Sequence, residues 1–165
     1  MLFTTLGFSQ ETYFGARLGI NISNLDFEPD ATFENKHRNG LVFGGFVDHE
    51  FSESLSLLAE LHYSAEGAKD KNLRTDYIQL PVMLRFAIGD WIKIGAGPQA
   101  GVKVWSHEDG FKNIVFSGVA GIEYMFTDEL FVDARFSYGI SNILDDNPAL
   151  EAKNNNIQFG FGIKL

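Results

Sequence analysis

No cysteine occurs among the 165 residues, so a disulfide framework, a thiolate metal site and a cysteine nucleophile are all excluded. Basic residues are scarce: 13 Lys and Arg stand against 22 Asp and Glu, a net charge of −9, and no Lys/Arg run breaks the pattern. That balance argues against a nucleic-acid partner, which calls for a basic patch. No apolar run approaches the ~18 residues of a membrane-spanning helix. No window of helical length carries a 3.6-residue apolar period either. The four histidines, His37, His49, His62 and His107, are scattered without ligand spacing. Asp145, Asp146 and Glu151 share one acidic stretch but lack the glycine turn of a dedicated calcium loop. No glycine-rich phosphate loop follows a strand and opens a helix. No metal or cofactor is therefore expected.

What the chain does have is period-2 alternation from end to end. Eight segments can be drawn, roughly 12–24, 40–50, 54–65, 75–87, 91–105, 112–126, 130–142 and 156–165. In the seventh, Leu130, Val132, Ala134, Phe136, Tyr138 and Ile140 oppose Phe131, Asp133, Arg135, Ser137, Gly139 and Ser141. The connections alternate as well. FSES, AIGD and TDE make tight turns, whereas 25–39, 66–74, 106–111 and 143–155 make longer polar links. Short and long links in alternation predict an all-β, eight-stranded antiparallel up-and-down barrel whose two ends face different surroundings. No change of composition marks a second domain.

Which face lies inside is decided by glycine. Ten of the 17 glycines fall on the polar face (Gly15, Gly19, Gly44, Gly95, Gly97, Gly101, Gly121, Gly139, Gly160 and Gly162), and only Gly45 and Gly118 on the apolar one. Glycine weakens a strand unless something approaches it closely. Inside a narrow barrel, small residues leave room for large ones on neighbouring strands. The same face carries both signs of charge, so Arg17, Glu60, Arg85, Glu123, Asp133 and Arg135 are expected to form a paired interior network. The apolar face is then lipid-facing. Phe51, Phe86 and Phe126 near one end and Tyr63 and Tyr138 near the other are candidate interface aromatics. Trp91, Trp105, Met83 and Phe131 fall on the inward side and predict a plugged barrel.

The segment YIQLPVMLRF (77–86) resembles the Tyr-x-x-x-Pro-aliphatic signature of the small outer-membrane β-barrel family of Bacteroidota, labelled porin-family or PorT-like. FGARLGINIS (14–23), LAELHYSAEGAK (58–69), GAGPQAG (95–101) and NIQFGFGIKL (156–165) are similar to that family's first, third, fifth and last strands. The resemblance implies an outer-membrane location and a transmembrane barrel, and it assigns no molecular activity. MLFTTLGFSQ (1–10) reads as the end of a truncated signal peptide, leaving 11–165 as one barrel domain.

The function expected from these residues is structural or interactive, without catalysis. The barrel would be monomeric, embedded in outer-membrane lipid, and would meet an envelope or extracellular protein through its long loops. Two alternatives differ in class. A soluble periplasmic lipocalin-like barrel would turn the Leu/Ile face inward around an apolar ligand. A lipid-modifying enzyme would use Glu60, His62 and Ser64 on the third strand. Neighbours at i and i+2 stand roughly 6.5–7 Å apart, which separates a nucleophile from its base.

Overall fold

The computed structural model describes residues 11–28, 36–107, 110, 112–144 and 151–165. The expected leader at 1–10, residues 29–35 of the first long link and the Asp145–Asp146 pair lie outside them.

Eight strands follow in chain order: β1 (Glu11–Glu28), β2 (Arg38–Ser52), β3 (Leu55–Gly67), β4 (Arg74–Ile88), β5 (Ile92–Ser106), β6 (Ile114–Met125), β7 (Leu130–Gly139) and β8 (Glu151–Lys164). Each pairs antiparallel with its neighbours, and β1 pairs with β8 from Gly15↔Lys164 to Glu28↔Glu151, so the barrel is closed. Closure satisfies the backbone donors and acceptors of every strand, leaving no open edge. The three tight turns fall where alternation stops. In the β6–β7 turn, Thr127 Oγ1 accepts from the Leu130 N–H at 2.9 Å; in the β4–β5 turn, Gly89 takes a φ of +69° that favours glycine.

The molecule is inverted relative to a soluble domain. Among the described residues, 22 polar or charged residues are buried against 14 hydrophobic ones. Leu18, Leu41, Phe43, Leu61, Ile114 and Phe116, by contrast, are each more than half exposed on the outer surface. An apolar surface running round the whole barrel is far larger than a monomer in water tolerates. The Leu/Ile face that a lipocalin-like barrel would turn inward is outside.

Glycines on the inner face are steric notches. A Cβ on Gly162 would lie 2.1 Å from the Phe131 ring, and one on Gly15 would lie 2.3 Å from the Phe46 ring. A Cβ on Gly160 would meet Arg17 Nε at 2.6 Å and Asp133 Oδ2 at 2.7 Å. On the outer face, Gly118 has only the tip of Ile140 at 4.0 Å.

Three local expectations fail for identifiable reasons. β8 begins at Glu151, not 156, and β1 runs on to Glu28. Ala152, Asn154 and Asn156 are buried in this extension while Lys153 and Asn155 are less so, so period 2 persists with polar residues on both faces. Trp105 is exposed rather than inward, because a bulge pairs Tyr77 with Lys103 and Asp76 with Trp105. The additional residue, Val104, reverses the phase. Trp91 stands in the turn before β5 and is also exposed.

The notch reading predicts that Gly162→Val destabilises the barrel by about 1–3 kcal/mol through overpacking against Phe131, whereas Gly118→Ala changes stability by less than about 0.5 kcal/mol. Urea unfolding in detergent micelles, followed by tryptophan fluorescence, measures both.

Candidate functional site

The interior is the chemically dense part of the molecule. Arg17 of β1 reaches across to β7, where Nε and Nη2 donate to the two Asp133 carboxylate oxygens at 2.7 and 2.6 Å. Its Nη1 donates to Gln158 Oε1 at 3.1 Å and lies 3.6 Å from Glu60 Oε1. Arg135 donates from Nη1 to Glu60 Oε2 at 2.6 Å. Glu60 Oε1 also meets His62 Nδ1 at 2.7 Å, and His62 Nε2 lies 2.9 Å from Gln79 Oε1.

A second cluster lies toward the short-turn end. Arg85 donates to Glu123 Oε2 at 2.7 Å and to Asp48. Lys164 Nζ donates to Glu123 Oε1 at 2.9 Å, and Lys93 Nζ to Glu50 Oε1 at 2.6 Å. Across both clusters five cations (Arg17, Arg85, Lys93, Arg135, Lys164) face five carboxylates (Asp48, Glu50, Glu60, Glu123, Asp133). Equal numbers keep these two clusters neutral, the condition under which buried charge is tolerable.

Apolar side chains fill the space beside the charges. Phe46, Leu58, Met83, Val119, Met125 and Phe131 form one buried group, with the Phe46 and Phe131 rings edge to face at 5.7 Å. Leu25, Ala68, Tyr77, Val115, Ile143 and Ala152 form another nearer the long-link end. There Glu66 accepts from Ser64 and Asn156 at 2.8 Å each and from Asn154, while Asn21 donates to Ser64 at 2.8 Å. Cavities of about 10 and 20 Å³ lie between these groups.

All six network residues named from sequence are buried and mutually bonded as described. The aromatic candidates all lie on the outer surface. Phe51, Phe86, Phe126 and Tyr138 are exposed, and Tyr63 packs its ring at 5.3 Å from Phe43. The spacing argument over Glu60, His62 and Ser64 needs correcting in one half. Glu60 and His62 do touch, because long side chains on one face can lean along the strand. Ser64 turns away from the imidazole to Asn21 and Glu66. Alternation alone could not find Gln79, Gln158 or Glu66 as partners, since uncharged or rim positions give no pairing signal. No group of three metal-ligating side chains occurs among the described residues.

A further site was invisible in sequence. The chain carries no Lys/Arg run, yet Lys36, His37, Arg38, Lys69 and Arg74 line a single concavity of about 570 Å³ with Asn39. Pairing of β2 with β3 brings 36–38 beside 68–69, as in the His37↔Ala68 bridge. Residues 30 apart thus become neighbours.

No curated protein sequence matches the chain. Among solved structures it is similar to the Neisserial surface protein A, with a TM-score of 0.63 at 11% identity over 92% of this chain and 97% of that one. It is also similar to Ail, the attachment invasion locus protein of Yersinia pestis, with a TM-score of 0.57 at 14% identity over 94% and 99%. At such identities these likenesses speak for the fold alone. The family model described as outer membrane protein beta-barrel domain matches residues 1–164. With its apolar surface outside and its charges within, the chain belongs to this family of β-barrel proteins and resides in the bacterial outer membrane, embedded in lipid.

Proposed function

We propose that the protein is a monomeric, plugged barrel without catalytic activity, and that its role is carried by the long-link end, presented outside the cell. The observation that carries this reading is the filled interior. Beside the Arg85–Glu123 pair and beside Glu66 it leaves cavities of about 10 and 20 Å³, each with room for about one water, and only its short-turn mouth opens wider, to a concavity of about 590 Å³ lined by Glu50, Lys93 and Lys164. Solute passage would require breaking the Arg17–Asp133 and Arg85–Glu123 pairs. Catalysis is disfavoured because His62 is held between Glu60 and Gln79, and among the described residues no serine hydroxyl bonds its ring.

The interior network is structural in this account, and Phe51, Phe86, Phe126, Tyr63 and Tyr138 mark two membrane interfaces. Seven strands, of 12–18 residues, exceed the roughly 9–11 needed to cross a bilayer, and β7, of 10, meets it. The surplus raises the long links clear of the headgroups, where an envelope or extracellular protein would bind. The finer kinship is to the small PorT-like barrels of Bacteroidota.

Three outcomes are expected. In planar bilayers the purified barrel gives no steady conductance; a stable open level contradicts the plug. An epitope inserted between Pro148 and Ala149 is reached by antibody on intact cells, while one between Glu53 and Ser54 is reached only after permeabilisation; the reverse pattern inverts the orientation. Arg17→Met and Asp133→Leu each destabilise by about 3–5 kcal/mol by leaving the buried network one charge out of balance, and the double variant loses far less than the sum. Strictly additive losses in urea unfolding contradict a coupled network.

A further inference from the structure

The cations outside the barrel interior are unevenly placed. Of the 13 Lys and Arg, five serve the interior pairs, and five of the other eight (Lys36, Arg38, Lys69, Lys71 and Arg74) gather with His37 around the β2 entry and the β3–β4 link. On a chain of net charge −9, this is a local reversal of sign.

The cluster is held on fixed backbone. The Lys69 N–H donates to the Lys36 carbonyl at 2.9 Å, and the Ala68 N–H to the Leu73 carbonyl at 3.0 Å. Arg74 Nη2 donates to the Lys69 carbonyl at 3.1 Å, while its Nε is buried with no hydrogen-bond partner. Arg38 Nη1 donates to the Glu66 carbonyl at 2.6 Å and to Asp76 Oδ1 at 3.1 Å. Among the described residues, Asp70 and Asp76 lie close by. Asp76 offsets Arg38, and Asp70 accepts from the Asn72 N–H in the 3₁₀ turn Lys71–Leu73. Among the described residues, none of those lining the concavity is acidic. Converging like charges on a rigid frame is unfavourable until an anion enters.

Height along the barrel identifies the anion. Tyr63 Oη donates to Asp76 Oδ2 at 2.6 Å, and its ring packs against the exposed Phe43. One continuous chain of contacts thus runs from lipid-facing aromatics through Tyr63 and Asp76 to Arg38. The basic concavity begins where the apolar surface ends, at the level of the headgroups.

We propose that this concavity binds the phosphate groups of an anionic glycolipid packed beside the barrel in the outer leaflet. Guanidinium groups of Arg38 and Arg74 and the ammonium groups of Lys36 and Lys69 match phosphate oxygens as donors. A volume of about 570 Å³ suits a phosphorylated sugar. The choice of leaflet rests on the outward orientation proposed above. That orientation is read from epitopes on cells, whereas binding is read on purified protein, so either can fail alone.

The test titrates detergent-solubilised barrel with bisphosphorylated lipid A, with dephosphorylated lipid A, and with inositol hexakisphosphate as a soluble polyanion. Every variant is first checked for heat-modifiable gel mobility. Lipid A is expected to bind, and its dephosphorylated form at least about tenfold more weakly. K36Q/K69Q is expected to weaken lipid A binding about 25-fold, near fivefold per charge, while K112Q/K153Q, with the same net charge, changes it less than about twofold. Lysine 69 is exposed, so K69Q alone serves if the double variant folds poorly. Equal losses in the two double variants overturn the site in favour of general charge. Equal binding of dephosphorylated lipid A overturns the phosphate reading. Cluster-dependent binding of inositol hexakisphosphate without lipid A binding overturns the lipid and leaves a soluble polyanion.

Discussion

Backbone N–H and C=O groups find no partner in hydrocarbon, and this constraint shapes the molecule. Strands can meet it only by pairing on both sides, so the eight strands close upon themselves. Closure at eight leaves an interior barely wide enough for side chains. It also dictates which residues go where, because side chains alternate along each strand. Once Leu18 faces lipid, Arg17 must face the axis.

That consequence is met by fitting notches to groups rather than by an oily core. Gly160 gives room for the Arg17–Asp133 pair, Gly162 for the Phe131 ring and Gly15 for the Phe46 ring. The ion pairs then link strands distant in sequence, Arg17 to Asp133 and Arg135 to Glu60 among them. Removing one partner leaves the network one charge out of balance in a low-dielectric surrounding. The same filling supports the proposal of a plugged barrel. The proposed function accordingly sits at the ends, where β1, β2 and β8 are longer than a bilayer crossing needs and where the basic concavity of Lys36, Lys69 and Arg74 opens.

Much of this was legible in the chain. Period-2 alternation located all eight strands, and the bias of glycine toward the polar face gave the inside. Three features were not legible, for physical reasons. Alternation of hydropathy vanishes where a strand leaves lipid, so the first residues of β8, Glu151 to Asn155, read as a link although their backbone still pairs with β1. A bulge at Asp76 and Tyr77 shifts phase without changing composition, which put Trp105 on the wrong side. The basic cluster depends on register between strands, and no local pattern encodes that. Side-chain reach was the fourth gap: Glu60 and His62 meet at 2.7 Å although their Cα atoms do not.

The absence of native cysteine allows the central claim, that the apolar face is outside, to be tested by single-cysteine labelling along β7. Spin labels at Val132, Ala134 and Phe136 in the reconstituted barrel should collide with lipid-dissolved oxygen and not with a water-soluble nickel chelate, while a label at Ser137 should be shielded from both. If instead the Val132, Ala134 and Phe136 labels met the chelate and the Ser137 label met oxygen in lipid, the two faces would be inverted and the account would be wrong.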